Sequence, residues 1–368
     1  FDAAVTRADD RALLFFTSGT TGYPKMALHT QASYGLGHRA TAEWWLGLRA
    51  DDLHWNLSDT GWAKAAWSSF FSPWLVGCTS FVHHAPRFDA RRTLELLEAH
   101  PVTTLCGAPT NWRLLIREDL AARRFPSLRS CTAAGEPMNP EVIEVWRRAT
   151  GLTIRDGYGQ TETVLAVGNP PGRPIKPGSM GIPSPAFDVT VLDESGRRAP
   201  PGVEGEVALR AEPPPLALFA GYWKDEQRTA AAFRDGWYLT GDRASVDADG
   251  DFWFVGRSDD VIKSSGYRIG PFEVESALLE HEAVVESAVV GVPDELRGQI
   301  VKAFVVLAPA AAVRIQAGDD ARDALVAELQ RFVQARTAPY KYPREIEFVA
   351  ELPKTVSGKI RRLELRGR

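Results

Sequence analysis

Residues 17–25 read Thr17-Ser18-Gly19-Thr20-Thr21-Gly22-Tyr23-Pro24-Lys25 and follow directly on the apolar run Ala12-Leu13-Leu14-Phe15-Phe16. A short apolar run bounded by turn residues reads as a buried strand. Glycines let backbone N–H groups approach an anion closely, hydroxyls add donors, and Lys25 adds a point charge suited to phosphate. Together they constrain the chain to a strand followed by a phosphate-binding loop, the layout of nucleotide-binding α/β proteins. The loop is not the Walker A pattern, because Tyr23 and Pro24 separate Gly22 from Lys25 and Met26 follows. Taken alone, the segment has a second, less favoured reading as a Ser/Thr/Gly-rich surface loop.

A chain of 368 residues is too long for one ordinary core, so two or more domains are expected. The hydrophobic content of 44% and charged content of 24% are those of a globular protein. A net charge of -4 lacks the basic footprint of a nucleic-acid partner. No stretch reaches the roughly 18–20 apolar residues of a membrane span. Cys78, Cys106 and Cys131 sit in apolar surroundings and read as buried free thiols. The chain opens at Phe1 without Met, and the phosphate loop follows almost at once. We expect a fragment whose N-terminal portion is missing, so the lack of a targeting signal says little; a cytoplasmic placement is the expectation.

Residues 1–180 alternate apolar runs with helical patterns. Helices are expected over 92–100, from 109 toward 120, and over 141–150 with Gly151 as the cap; strands are expected over 102–105 and 152–154. That alternation argues a mostly parallel α/β sheet. From Gly181 the texture becomes β-rich: strands over 187–192 and 205–210, and a hairpin over 238–255 turning at Asp247-Ala248-Asp249-Gly250. After residue 258 a helix (271–279), two strands (286–292, 301–307), an amphipathic helix (321–336) and a last strand (345–349) make a compact α+β unit of about 110 residues. The expected fold is an incomplete α/β large domain over 1–258, whose residues 181–258 form a β-subdomain, and a mobile C-terminal α+β domain over 259–368.

Several further segments carry chemistry. Asp156-Gly157-Tyr158-Gly159-Gln160-Thr161-Glu162-Thr163 follows a strand, at the edge where open α/β sheets bind ligands. Tyr158 between two glycines offers a flat ring for a base, Thr161 reaches a phosphate oxygen, and Glu162 is a hard oxygen ligand suited to Mg²⁺. A tight turn with an incidental tyrosine is the other reading. Ala134-Gly135-Glu136-Pro137 could form the second wall of a base pocket, or be a plain strand-to-helix turn. Asp242 suits two ribose hydroxyls and Arg257 a ribose or phosphate, although either alone reads as a surface turn or an ion pair. Val261-Ile262-Lys263-Ser264-Ser265-Gly266-Tyr267-Arg268-Ile269-Gly270, with glycine on both sides of an aromatic–Arg pair, reads as a ligand loop or as a flexible linker into the helix at Pro271. Lys359, after Ser357-Gly358 in a polar tail, is a long-reach cation able to neutralise a reacting carboxylate or phosphate, or part of a solvated basic tail.

Together these loops, in order and spacing over nearly the whole chain, resemble the adenylate-forming superfamily of acyl-CoA synthetases, luciferases and peptide-synthetase adenylation domains. Ser58-Asp59-Thr60-Gly61-Trp62-Ala63-Lys64, His83-His84, Lys176-Pro177-Gly178-Ser179-Met180-Gly181 and Ser265-Gly266-Tyr267-Arg268-Ile269-Gly270-Pro271-Phe272-Glu273 look like its medium-chain acyl-CoA synthetase subgroup. The resemblance implies that a carboxylate attacks ATP to give acyl-AMP and pyrophosphate, and that CoA then forms the thioester. It implies that Thr17, Ser18, Gly19, Thr20, Thr21, Gly22 and Lys25 orient the outer phosphates. Gly135, Glu136, Pro137 and Tyr158 would cradle the adenine, with Asp156, Gly157, Gly159 and Gln160 as further nucleotide-binding positions. Thr161 would meet the α-phosphate, Glu162 the Mg²⁺, Asp242 and Arg257 the ribose, and Lys359 the carboxylate and α-phosphate. Asp259 matches the hinge of the rotating C-terminal domain. Ser265, Gly266, Tyr267, Arg268, Arg297, Tyr342, Pro343 and Arg344 look CoA-facing, whereas Gln334 stands where the subgroup usually has Lys. Trp62, Lys64, Trp67, Val164 and Leu165 are expected near the acyl pocket, for a medium-chain or aromatic acid. Two other readings stay open: an adenylating enzyme with a non-CoA acceptor, and a non-catalytic nucleotide-binding remnant. Oligomeric state is not legible.

Overall fold

The structure, a computed structural model, describes residues 2–17, 24–354 and 360–367. It divides into two compact units, one of residues 1–240 and 245–253, the other of 241–244 and 254–368.

The first unit opens with β1 (Arg11–Thr17) and β2 (Lys25–Thr30), paired antiparallel with Thr17 opposite Lys25. One sequence expectation fails here: β1 is not buried, with Leu14 37% and Phe16 70% exposed. The continuous apolar run concealed a two-faced strand at the end of its sheet, with only the Leu13 and Phe15 face partly covered. Phe15 packs on Tyr34, with ring centroids 4.7 Å apart.

The central sheet contains β3 (Leu53–Asn56), β4 (Thr79–Phe81), β5 (Thr104–Gly107), β6 (Ser130–Ala134), β7 (Ile154–Gln160), β8 (Val164–Gly168) and β9 (Ile182–Pro183), in the order β4-β3-β5-β6-β7-β8-β9. β3 to β7 run parallel; β8 and β9 are antiparallel additions. β5 starts two residues later than expected. Helices Ala90–Ala99, Pro109–Leu115 and Pro140–Thr150 alternate with these strands. The helix from Pro109 ends at Leu115, short of the expected 120. Asp89 and Asn139 cap two of them by accepting from the backbone N–H of Arg92 and Glu141, and Gly151 closes the last at φ 77°. The core between sheet and helices holds fully buried Trp112 and Trp146, set edge to face at 4.9 Å, with Leu94, Leu105 and Ile143. All three cysteines are free and buried, as expected. Helical segments over 32–46 and 63–76 include three runs of wider π turns.

The β-rich region contains β10 (Val189–Leu192), β11 (Gly205–Arg210), β12 (Gly221–Tyr222), β13 (Phe233–Arg234), β14 (Trp237–Val246) and β15 (Phe252–Arg257). β12 leaves this group and joins β2, with Tyr222 opposite Ala27. The others form the order β10-β11-β14-β13, with β15 also on β14. At the Asp247-Ala248-Asp249-Gly250 turn, Lys176 Nζ lies 2.6 Å from Asp247, 2.7 Å from Asp249 and 3.3 Å from Asp251. Arg173 holds Asp251 through both oxygens, at 2.7 and 2.6 Å.

In the second unit, β16 (Ile262–Ser264), β17 (Tyr267–Ile269), β18 (Val284–Asp294), β19 (Gly298–Leu307) and β20 (Glu345–Phe348) run in the order β17-β16-β19-β18, with β20 parallel to β19. Helices Pro271–Leu279 and Asp319–Arg336 bury Val274, Leu278, Leu325, Leu329 and Val333 with Val289 and Val301 of the sheet. Arg362 grips Glu275 through both carboxylate oxygens at 2.7 and 2.8 Å.

Candidate functional site

The parallel strands β5, β6 and β7 place Gly107, Ala134 and Gln160 at their C-terminal ends. Asp156, Gly157, Tyr158, Gly159 and Gln160 belong to β7 itself, not to a loop after it; Asp156 lies opposite Ala133 of β6, and the four that follow pair with β8. The two glycines flanking Tyr158 therefore serve close approach. A Cβ on Gly157 would stand 2.6 Å from the Trp45 indole, and one on Gly159 would stand 1.9 Å from the Val164 carbonyl oxygen. Opposite them the pairing slips between Tyr158 and Gly159, and Val164 takes a left-handed φ of 50°.

The Thr161-Glu162-Thr163 turn between β7 and β8 is held from two sides. His29, on β2 and fully buried, donates from Nε2 to the Thr161 carbonyl at 2.7 Å. That fixes the tautomer: Nδ1 accepts from the Ser33 hydroxyl at 2.9 Å, and Ser33 Oγ accepts the Thr30 N–H. Burial pulls the His29 imidazole down to about 4, against the raising effect of its bond to Thr161, so it is neutral at physiological pH. On the other side, Tyr222 donates its hydroxyl to Glu162 Oε1 at 2.8 Å, and the Phe219 N–H donates to the Glu162 carbonyl at 2.9 Å. Glu162 is only 7% exposed and has no ion pair among the described residues. A buried carboxylate without a cation suits a divalent ion. Gln160 donates to the Thr240 carbonyl and accepts from the Tyr238 hydroxyl. Lys25 lies over the Tyr222 ring, 5.3 Å from its centroid.

Gly135, Glu136 and Pro137 follow β6. Glu136 accepts from the Thr110 hydroxyl at 3.0 Å and pairs with Arg113 at 3.3 Å, tying this turn to the helix Pro109–Leu115. Lys64 is buried and donates to the carbonyls of Gly107 at 2.6 Å and Ala134 at 2.9 Å, clasping the ends of β5 and β6. Burial lowers its pKa. Asp156, also buried, accepts the Gly157 N–H; burial pushes its carboxyl up to about 8, opposed by backbone N–H groups and by Lys64. Trp67, Ala134 and Leu165 join one apolar cluster with Trp45 and Cys106. Trp67 stacks on His38 at 5.6 Å and 13°. Trp62 is half-buried and precedes the helical segment of Lys64. His29, His38, Trp45 and Tyr222 were not found from the sequence.

In the second unit, Asp242 and Arg257 come together with Asp259. Arg257 Nε lies 3.1 Å from Asp259 Oδ1, and the Ser258 N–H donates to the Gly241 carbonyl. Burial weakens the Arg257 charge, and Asp242 and Asp259 outweigh it, raising its pKa. Ser265 and Gly266, at φ 49° and 82°, are the two central residues of a tight turn between β16 and β17, not a flexible linker. Tyr267 stacks on Tyr340 at 4.1 Å, and the Ser265 N–H donates to the Arg297 carbonyl. Arg268 lies on β17 opposite Lys263. Arg344 lies over the Tyr342 ring at 5.0 Å and donates to its hydroxyl. Ser18, Gly19, Thr20, Thr21, Gly22 and Lys359 lie outside the described residues. No described helix is long and apolar enough to cross a membrane.

The acyl-coenzyme A synthetase ACSM3, mitochondrial, of Mus musculus is 55% identical over 98% of this chain and 61% of its own length. The acyl-coenzyme A synthetase ACSM4, mitochondrial, of Homo sapiens is 53% identical over 98% of this chain and 61% of its own length. This chain thus spans about three fifths of those relatives. Among solved structures, the anthranilate CoA ligase AuaEII in complex with anthranoyl-AMP matches with a TM-score of 0.88 and 35% identity, over 100% of this chain and 68% of that one. A benzoate CoA ligase from Burkholderia xenovorans LB400 matches at 0.86 and 33%, over 99% of this chain and 70% of that one. Residues 273–359 match the AMP-binding enzyme C-terminal domain and residues 2–223 the AMP-binding enzyme model. With more than half of its length in that match and the α/β arrangement described above, the chain belongs to the family of AMP-binding enzymes.

Proposed function

We propose that this protein is an acid–CoA ligase. In this reading it activates a carboxylic acid with ATP to acyl-AMP and pyrophosphate, and then transfers the acyl group to the thiol of CoA. The observation that carries the reading is the junction of β2 and β7: the strand bearing Lys25 is hydrogen-bonded through His29 to the Thr161-Glu162 turn at the C-terminal end of a central parallel strand. A displacement at phosphorus is accelerated mainly by positioning and charge neutralisation, and cations, hydroxyls and a carboxylate are the groups gathered here.

In this reading Thr17, Lys25 and the intervening loop hold the outer phosphates, and Tyr158 with the Gly135-Glu136-Pro137 turn takes the adenine. Thr161 donates to the α-phosphate. Glu162 would hold Mg²⁺, which when bound offsets phosphate charge. Asp242 accepts from the ribose hydroxyls beside Arg257, and Lys359 bridges the acid and the α-phosphate. The second unit supplies Ser265, Gly266, Tyr267, Arg268, Arg297, Tyr342 and Arg344 for CoA, with Asp259 as the hinge. The apolar cluster around Trp45 and Trp67 favours a medium-chain or aromatic acid, in keeping with the anthranilate and benzoate named for the two solved ligases. The compartment must supply ATP, Mg²⁺ and CoA; the cytoplasm and the mitochondrion named for the relatives both do so.

The test is pyrophosphate release from ATP and Mg²⁺ against short, medium-chain and aromatic acids, with and without CoA. It would use this chain and a version extended at its N-terminus to the relatives' length. Acid-dependent release that continues to a thioester only with CoA is expected. Thioester formation with a carrier protein alone would point to the other acceptor class. No release from either version, with Lys359→Ala indistinguishable, would leave a nucleotide-binding remnant.

A further inference from the structure

The roles proposed above leave out one side chain that touches two of the charged groups. Tyr222 presents its ring face to Lys25, 5.3 Å from the centroid, and its hydroxyl to Glu162 Oε1 at 2.8 Å. Its own position is fixed by backbone on both sides. Tyr222 pairs with Ala27, and the N–H groups of Ala220 and Trp223 donate to the carbonyls of Leu28 and Met26, so the segment is stitched to the strand bearing Lys25. Three residues earlier, the Phe219 N–H donates to the Glu162 carbonyl. The ring packs edge to face on Phe219 at 5.0 Å and is 7% exposed.

A lysine and a glutamate near one another would ordinarily pair and cancel. Here no ion pair joins Lys25 and Glu162 among the described residues; each is engaged by a different part of the same rigid ring. A hydroxyl that donates to one carboxylate oxygen also orients the other. Two χ angles, both restrained by burial, leave the tyrosine little freedom. We propose that Tyr222 is a positioning residue that holds the Lys25 ammonium and the Glu162 carboxylate apart and aimed, so that a magnesium–nucleotide complex meets a cation and a carboxylate already at fixed spacing. This rests on the nucleotide-activating reading of the site.

The experiment is calorimetric titration of ATP onto the full chain, with and without Mg²⁺, for the parent, Tyr222→Phe, Tyr222→Leu, Glu162→Gln and the Tyr222→Phe/Glu162→Gln pair. Tyr222→Phe keeps the ring and loses the hydroxyl. It should cut the Mg²⁺-dependent gain in ATP affinity roughly tenfold, the scale of one hydrogen bond to a charged group, and leave metal-free ATP binding unchanged. Tyr222→Leu should also weaken metal-free binding several-fold, because Lys25 loses its aromatic face. In the Glu162→Gln background, Tyr222→Phe should cost nothing further. A Tyr222→Phe protein that keeps the full Mg²⁺ gain would overturn the proposal. So would one that loses metal-free and metal-bound ATP alike, the pattern of a merely structural role, or a loss additive with Glu162→Gln. If the parent bound no ATP at all, the reading of the site would fail instead, which is a different result.

Discussion

His29 Nε2 meets the Thr161 carbonyl at 2.7 Å across 132 positions of sequence, joining the end of the first hairpin to the end of a central strand. That bond needs a neutral imidazole with its proton on Nε2. Burial holds His29 and His54 at about 4 and His38 well below the ordinary 6.5. The unfolded chain takes up these protons near 6.5 and the folded chain does not. Between about 4 and 6.5 the unfolded state therefore binds more protons, and stability must fall as pH falls. The slope is up to about 1.4 kcal/mol per pH unit for each histidine. Urea denaturation from pH 8 to pH 5 should show it, and a flat profile below 6.5 would contradict a buried neutral His29.

Asp156 works with the opposite sign. Its carboxyl sits at about 8 in the fold and ordinarily at 3.8, so the folded state holds the extra proton between those values. Its contribution is complete at low pH and is lost as pH rises toward 8. Asp156→Asn should flatten the decline in unfolding free energy between about pH 6.5 and 8 and steepen the acid-side fall between about 4 and 6.5, where the Asp156 contribution offsets part of the histidine effect. An undiminished decline would remove Asp156 as its source.

Lys64→Met removes the donor shared by the Gly107 and Ala134 carbonyls at the ends of β5 and β6. Two buried carbonyls then lose their ammonium donor, at a total cost of about 1–3 kcal/mol before relaxation. A lower denaturation midpoint is expected, together with weaker nucleotide binding because Gly135 and Glu136 directly follow Ala134. A stable variant with parent-like binding would show that the clasp is dispensable.

Gly157→Ala places a methyl 2.6 Å from the Trp45 ring, too close for any real contact. Overpacking of this kind costs about 1–3 kcal/mol, a few degrees of melting temperature. Trp45→Phe should recover part of it in the double variant, and no recovery would argue against that contact.

At the turn of β16 and β17, Gly266 holds φ 82° next to Ser265 at 49°. Gly266→Ala carries a strain of about 1 kcal/mol there. Under the proposed function the defect should appear in thioester formation and spare pyrophosphate release; equal loss of both would separate this turn from CoA.

Much of this architecture was legible locally. The helix Pro271–Leu279 and the helix end at Gly151 follow from proline, apolar spacing and a glycine cap, all short-range signals. The shift to alternating patterns after Gly181 marked the β-rich region that holds β10 to β15. The errors are long-range in origin. Nothing in Ala12–Phe16 tells which face other parts of the chain cover, and Gly-Tyr-Gly reads as freedom until Trp45 is seen against Gly157. Tyr222 carries no local mark; it matters because β12 leaves the strands around it to join β2, placing a tyrosine between residues 25 and 162.

The Asp247-Ala248-Asp249-Gly250-Asp251 turn spaces three carboxylates as the opening of a calcium loop does, yet the cation among them is Lys176. An ammonium on a covalent stem is always present at full local concentration and no chelator removes it. EDTA therefore leaves this counter-ion in place, and under the proposed function an effect of EDTA on the protein is to be sought at Glu162 and the nucleotide rather than at this turn.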